Sequence, residues 1–320
     1  MIKRSIGAQI ISRAALGSVF SLLLVEPAFA GEGASSDYLQ GTYGDFQAAV
    51  WGDAGVYLRN DLAYYDADVG AHARGGKVSA KLDQQMWLNN LQLVWLSDTT
   101  LWGARIGSAV LVPYFANIKA SGDLSTAQGT ASASGDEQGI GDIYVSPLML
   151  NWVNGEHNFT FAPALYIPTG KYDEDEALNA GRNYWALDVS GSYTWFDADA
   201  GHEFSMTTGV MFNDRNSDTD YKTGTEFHLD ALAAQYLSES FGLGIVGYYY
   251  KQLDSDDGPL QGPIDASSIQ AEGAGFGPAV IWNQAVGTRT LSVIGKAYFD
   301  TTSTDRFDGN LYMLSIAIDL

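Results

Sequence analysis

Histidine occurs only at positions 72, 157, 202 and 228 of this 320-residue chain, and cysteine does not occur at all. Disulfides, thiolate zinc sites and a cysteine nucleophile are therefore excluded. His228 stands between Glu226 and Asp230 at a spacing of two. On a strand this spacing points all three side chains to one face. Such a cluster can act as half of an acid–base pair, or it can be a polar network filling an enclosed space. Asp188 and Asp300 are expected to face the same enclosed space, partnered by a Lys or Arg such as Arg105, Lys251 or Lys296. A Ser–His–acid triad would need a serine beside one of these histidines, and no serine stands in a G-x-S-x-G turn.

Two acidic runs invite a metal reading: Asp173-Glu174-Asp175-Glu176, and Asp254 with Asp256 and Asp257. Calcium takes oxygen ligands, yet neither run has the D-x-[DN]-x-[DN]-G spacing of a calcium loop. Both read as solvated, self-repelling loops, and no metal or cofactor is expected. The formal charge of −21 also excludes a phosphate-neutralising nucleic-acid surface.

The elements that position these residues alternate with period two. From Trp185, the odd positions are Trp185, Leu187, Val189, Gly191, Tyr193 and Trp195; the even ones are Ala186, Asp188, Ser190, Ser192, Thr194 and Phe196. One face is apolar with aromatic ends, and the other is small and polar. Phe204, Met206, Thr208, Val210 and Phe212 repeat the pattern, as do Tyr312, Leu314, Ile316 and Ile318. Segments of about ten residues that alternate in this way, with aromatic ends, are the signature of strands crossing a bilayer. A charged residue on the lipid face costs about 2–4 kcal/mol at mid-depth. Glu226, His228 and Asp230 are therefore assigned to the lumen, and Phe227, Leu229 and Ala231 to lipid.

About 12 such strands follow from the ten-residue rule, over 55–65, 84–96, 101–117, 140–153, 158–168, 184–196, 202–213, 225–237, 243–253, 274–284, 288–300 and 310–320. The span 84–96 is the least regular, with Asn89, Asn90 and Gln92 among Trp87 and Trp95. Short connections at 97–100, 154–157, 197–201, 238–242 and 285–287 alternate with long ones at 66–83, 118–139, 169–183, 214–224, 254–273 and 301–309. Short turns on one side and long loops on the other are the habit of outer-membrane barrels. A soluble β-sandwich also alternates but gives no reason for this sorting. The fold expected is all-β: an up-and-down antiparallel transmembrane β-barrel of about 12 strands over 55–320.

Residues 1–30 have a basic start at Lys3 and Arg4, an apolar run and an Ala28-Phe29-Ala30 ending. They read as a secretory signal peptide cleaved near Ala30, which places the barrel in the outer membrane of a Gram-negative bacterium. Residues 31–54, with Tyr38, Tyr43, Phe46 and Trp51, are either a periplasmic lead-in or a small plug. The Gly/Ala/Ser/Thr-rich stretch from Ser121 to Gly139 reads as a flexible outer loop, or as a constriction if it folds inward.

The block Ile167-Pro168-Thr169-Gly170-Lys171-Tyr172, with Leu178-Asn179 and Gly181-Arg182-Asn183-Tyr184-Trp185, resembles the family named for the meta pathway of phenol degradation. Phe212-Asn213, Asn216, Thr219, Tyr221, Phe227-His228, Asp230, Gly275-Phe276-Gly277-Pro278, Trp282, Lys296 and Arg306 extend the resemblance. It implies an outer-membrane barrel and uptake of phenolic or other hydrophobic compounds. In that setting Tyr172, Arg182, Asn183, Tyr184 and Tyr221 are candidates for capturing solute at the outer loops. Arg105, Asp188, Glu226, His228, Asp230, Lys296 and Asp300 are candidates for lining the lumen. The expected partners are lipid, lipopolysaccharide and small aromatic solutes, with a monomer favoured. Two rivals remain: a non-conducting surface-interaction barrel acting through its long loops, and an interfacial hydrolase using His202 or His228.

Overall fold

The structure is a computed structural model and describes residues 31–32, 36–73, 78–126, 129–176, 178–258 and 270–320. The expected signal peptide and part of the 254–273 connection lie outside the described residues. Among the described residues twelve strands form the wall, apart from a small two-stranded pairing of Arg215–Asn216 with Tyr221–Lys222; in chain order they are β1 (Gly55–Ala73), β2 (Val78–Leu101), β3 (Ala104–Thr126), β4 (Gly129–Ile140 and Ile143–Asn154) and β5 (His157–Phe161 and Ala164–Ile167). They continue with β6 (Ala186–Asp197), β7 (His202–Asn213), β8 (Glu226–Ser238), β9 (Phe241–Gln252), β10 (Glu272–Val286), β11 (Arg289–Thr304) and β12 (Asp308–Asp319).

Each strand pairs antiparallel with its neighbours, and β12 returns to β1 in a register from Tyr57↔Asp319 to Asp68↔Asp308. The sheet is therefore a closed cylinder with no free edge. β4 and β5 are each interrupted once. At the first break Gly141 donates to the Pro113 carbonyl at 2.9 Å. The second break holds Pro163, which has no N–H to offer the ladder.

Leu91, Leu93, Trp95, Leu187, Val189, Phe204, Phe212, Leu314 and Ile316 are exposed on the outer wall. So broad an apolar surface needs a lipid surround. The inward positions include Asp188, Ser190, Thr194, Ser205, Thr207, His228, Asp230 and Ser315, all buried. The irregular strand β2 resolves under this geometry. Trp87, Leu91, Leu93 and Trp95 all face outward, while Asn90 is buried on the inner wall. Asn89 faces lipid and exchanges two 3.0 Å hydrogen bonds with Asn60 of β1, so each amide is satisfied without water.

Every expected strand span overlaps an observed strand, but the connections need correction. The 66–83 and 118–139 stretches are largely strand, with pairing to Ala73↔Val78 and to Ser125↔Thr130. Only 305–307 separates β11 from β12. Within the Ser121–Gly139 stretch, residues 121–126 and 129–139 are thus paired strands that extend the wall, neither a loose loop nor an inward constriction, while 127–128 lie outside the described residues. Beyond the bilayer both faces of a strand meet water, so alternation fades while the backbone ladder continues. On the other side, the expected turn at 97–100 is strand, and the chain reverses at Trp102-Gly103, both at positive φ.

Candidate functional site

The barrel interior is built where β6, β7 and β8 lie side by side. Asp188 of β6 and His228 of β8 are both 0% exposed, and Asp188 Oδ1 stands 3.1 Å from His228 Nε2. These strands are not adjacent, because β7 runs between them. The bond passes over Gly209, which pairs with both Ser190 and His228. A Cβ at Gly209 would come within 2.7 Å of Asp188 Oδ1, so the bond requires glycine there. The expectation that Asp188 pairs with Lys or Arg is corrected, whereas Asp300 does have Arg306 as its charged neighbour. Asp188 meets His228 and Tyr43, while Asp300 accepts from the Tyr248 hydroxyl and from Gly309 N at 3.0 Å.

The N-terminal segment runs through this interior. The His228 ring packs against two of its tyrosines, with centroids 4.6 Å from Tyr38 and 5.0 Å from Tyr43, which themselves stack at 5.9 Å. Tyr38 donates to Asp230 at 2.7 Å, and Tyr43 to Asp188 at 3.1 Å. Ser36 and the Tyr250 hydroxyl both donate to Glu226, at 3.0 and 2.5 Å. Lys296 donates to the carbonyls of Gly41 and Gly44, at 3.2 and 2.6 Å, and Tyr298 to Gly41 at 2.9 Å. Arg59 of β1 bridges Asp45 of the segment and Asp61 of its own strand. Lower down, Ala49 N donates to Thr194, and the Ala49 carbonyl accepts from Asn151.

The two ends of the segment fix its direction. Gly31 N donates to Asp256 at 2.7 Å, and Asn216 and Thr219 donate to Glu32, all within the long connections. At the other end Arg105 donates to the Gly52 carbonyl at 2.8 Å and to Ser97 at 3.2 Å, with Trp51 6.0 Å from its guanidinium. Arg105 is therefore at the short-turn rim and not in mid-lumen. The other lumen candidates, Asp188, Glu226, His228, Asp230, Lys296 and Asp300, all face the interior.

The loop candidates form one cluster on the long-connection side. Asn216 is its hub: it donates to the Tyr172 hydroxyl at 2.8 Å and accepts from Asn183 at 3.0 Å. Asn183 has φ +62°, a conformation asparagine tolerates. Asp142, at the break in β4, accepts from the backbone of Gly170 and Arg182, at 2.8 and 2.5 Å. Tyr184 and Tyr221 are buried, and Tyr221 donates to Asp256 at 2.5 Å. Burial, with the charge of Asp256, pushes the Tyr221 hydroxyl well above its ordinary range. Within the 173–176 run, Asn179 bonds the backbone of Asp173 and Glu176. Among the described residues no group of three or more His, Asp or Glu is placed to hold a metal ion.

Sequence reasoning missed Arg59, Asp61, Tyr65, Tyr250 and Tyr298 as interior residues. The inward alternation of β1 (Asp61, Ala63, Tyr65) and β9 (Val246, Tyr248, Tyr250) was the available signal.

Comparisons with known proteins agree with this architecture. The COG4313 outer membrane channel from Pseudomonas putida F1 superposes with a TM-score of 0.62 at 17% identity, covering 88% of this chain and 99% of that one. The transport unit of the autotransporter AIDA-I from Escherichia coli gives 0.44 at 12% identity, covering 97% and 99%. A Pseudomonas aeruginosa FadL homologue gives 0.34 at 9%, covering 83% and 89%. The first is the same fold; the other two are too distant to carry an argument. No curated protein matches the chain in sequence. A family model described as "Putative MetA-pathway of phenol degradation" matches residues 67–316. With that match spanning most of the strands described above, the chain belongs to the phenol-degradation MetA-pathway family of β-barrel proteins.

Proposed function

We propose that this protein is a passive outer-membrane channel for small hydrophobic or aromatic compounds, phenolics among them. The observation that carries the reading is the interior itself. Tyr38, Tyr43, Tyr144, Tyr166, Tyr248, Tyr250 and Tyr298 are buried or packed against the core there, with charged groups held between them. Tyrosine offers a flat apolar face to an aromatic ring and a hydroxyl to its polar substituent. A plain aqueous pore has no use for so many. Barrels of about this strand number lie between side-chain-filled small barrels and open porins, which suits slender solutes.

In this reading residues 31–54 act as a plug that shifts to let solute pass, and the Tyr172–Asn183–Asn216 cluster stands where solute would first meet the loops. Export by a signal peptide ending near Ala30, insertion as a monomer in a lipopolysaccharide-bearing membrane, and a non-catalytic role belong to the same proposal. The test is the entry of labelled phenolics into vesicles with and without the protein. Equal rates remove the transport claim.

The extent of hydrogen bonding between the segment and the wall favours a second reading, a barrel that does not conduct and works through its long connections. Absent conductance, together with a loop-dependent surface phenotype, would select it.

A further inference from the structure

At the long-connection end of the barrel, the N-terminal segment begins on a buried carboxylate whose side-chain and wall donors are all neutral. Asp256, in the connection between β9 and β10, is 1% exposed. Tyr221 donates to its Oδ2 at 2.5 Å, and Gly224 N to its Oδ1 at 2.9 Å, with Gln252 Nε2 on the same oxygen. The carboxylates around it, Glu32 beside Tyr221 and Glu226 below, share its sign. The next residue, Asp257, is exposed and pairs with Arg215, which also meets Asp220; among the described residues no ion pair of a Lys or Arg side chain reaches Asp256. Buried charges are normally paired with an opposite charge.

The fourth donor on Asp256 is Gly31 N, in a buried hydrogen bond of 2.7 Å to Oδ2. Glu32 fixes its approach. Glu32 N donates to Thr223 Oγ1 at 3.3 Å, and the Glu32 carboxylate accepts from Thr219 and Asn216 at 2.6 and 2.9 Å. Gln252, Thr223 and Asn216 are as fully buried as the barrel core. Gly31 is also the residue that follows the Ala28-Phe29-Ala30 ending, where the sequence places signal-peptide cleavage. In an uncleaved chain its nitrogen is a neutral amide. Hydrolysis of the Ala30–Gly31 bond puts the hydroxyl of water on the Ala30 carbonyl carbon and its hydrogen on the Gly31 nitrogen, which takes one further proton from solvent. The donor facing Asp256 then carries a full positive charge, and its hydrogen bond becomes charge-assisted.

We infer that Asp256, held in place by Tyr221, Gly224 and Gln252, is a binding site for the chain's own new α-ammonium at Gly31. The inference rests on the proposed cleavage after Ala30 and on residues 31–54 acting as a plug, and it adds how the outer end of that plug is held. The ammonium is captured on the long-connection side, and the segment descends from it through the interior to the short-turn rim. Processing thus creates the cation that completes the site. An unprocessed chain, or one with residues added before Gly31, docks its segment without this ion pair. Two added residues move the charge away by up to about 7 Å and leave an amide in its place.

The test uses the full exported chain in detergent, its first residue read by intact mass and N-terminal sequencing. Its α-amine is labelled with 2-pyridinecarboxaldehyde, which reacts with α-amines and spares lysine. Labelling of the folded wild type is expected to be at least tenfold slower than labelling of the same chain unfolded. Asp256→Asn removes the charge at nearly constant shape and is expected to speed labelling of the folded chain severalfold. A chain with Ala-Ser inserted before Gly31 is expected to be cut by protease within 36–54 severalfold faster, and Asp256→Asn is expected to add nothing further in that background. Each variant is first checked for the shift in gel mobility on heating that a folded barrel gives. An α-amine labelled as fast in the folded as in the unfolded wild type would overturn the inference. So would labelling that stays as slow in folded Asp256→Asn, or equal protease protection of the extended and wild-type chains, since a neutral amide would then serve as well. A first residue other than Gly31 would sink the cleavage reading and the inference with it; a Gly31 start with an unprotected amine would sink the inference alone.

Discussion

Lys296 is the residue on which docking of the N-terminal segment depends most. Its ammonium is buried, with the residue 4% exposed, and it donates to the Gly41 and Gly44 carbonyls at 3.2 and 2.6 Å. Lys296→Met keeps the aliphatic stem and deletes the charge. The Gly41 carbonyl keeps the Tyr298 hydroxyl at 2.9 Å, while the Gly44 carbonyl loses its short donor and keeps only Tyr298 at 3.3 Å, so about one hydrogen bond is lost, at a cost of about 1–3 kcal/mol. Part of this is returned, because a buried ammonium no longer has to be desolvated. The net cost to docking is therefore about 1 kcal/mol, which shifts the docked-to-undocked ratio roughly 5-fold. Undocked segments leave the lumen open to ions. Planar-bilayer recordings of Lys296→Met should show open events severalfold more frequent than in wild type, with faster proteolysis within 36–54. Identical open frequency and identical protection in a folded variant would refute the argument that these bonds hold the segment.

Other expected outcomes follow from the same geometry. Asn60→Leu or Asn89→Leu alone should destabilise the barrel by about 1 kcal/mol, because the remaining amide loses its side-chain partner, Asn60 keeping only the Asn90 carbonyl at 3.2 Å; the double variant should recover most of the loss, as read by denaturant unfolding in detergent. Gly209→Ala drives a methyl into the Asp188–His228 bond and should cost about 1–3 kcal/mol, whereas Gly191→Ala, where the nearest atom to a Cβ is 3.5 Å away, should cost under 1 kcal/mol. Leu314→Arg on the lipid face should destabilise by about 2–4 kcal/mol if it sits near the midplane, and the cost should shrink at outward positions closer to the rims.

The cylinder was legible in the sequence because a bilayer imposes a strict rule: the wall is apolar outside and polar inside, residue by residue. That rule found all twelve strands and placed Asp188, Glu226, His228, Asp230, Lys296 and Asp300 inward. Where the rule lapses, legibility lapsed with it. The β1–β2 and β3–β4 hairpins extend beyond the lipid, so Lys81, Asp83 and Ser121 read as loop although they lie in strands. Partners inside the lumen were also hidden. Asp188 reaches His228 across an intervening strand by way of Gly209, a contact that no local spacing encodes. The path of residues 36–54 was left open because its recurring aromatics suit an interior packing as well as a lead-in.

The most direct test of the account is the rate at which a labelled phenolic enters vesicles with a lipopolysaccharide outer leaflet, measured with and without the reconstituted protein. The account predicts faster, saturable entry with the wild type and a further increase with Lys296→Met. Entry at the same rate in empty and protein-bearing vesicles would contradict it.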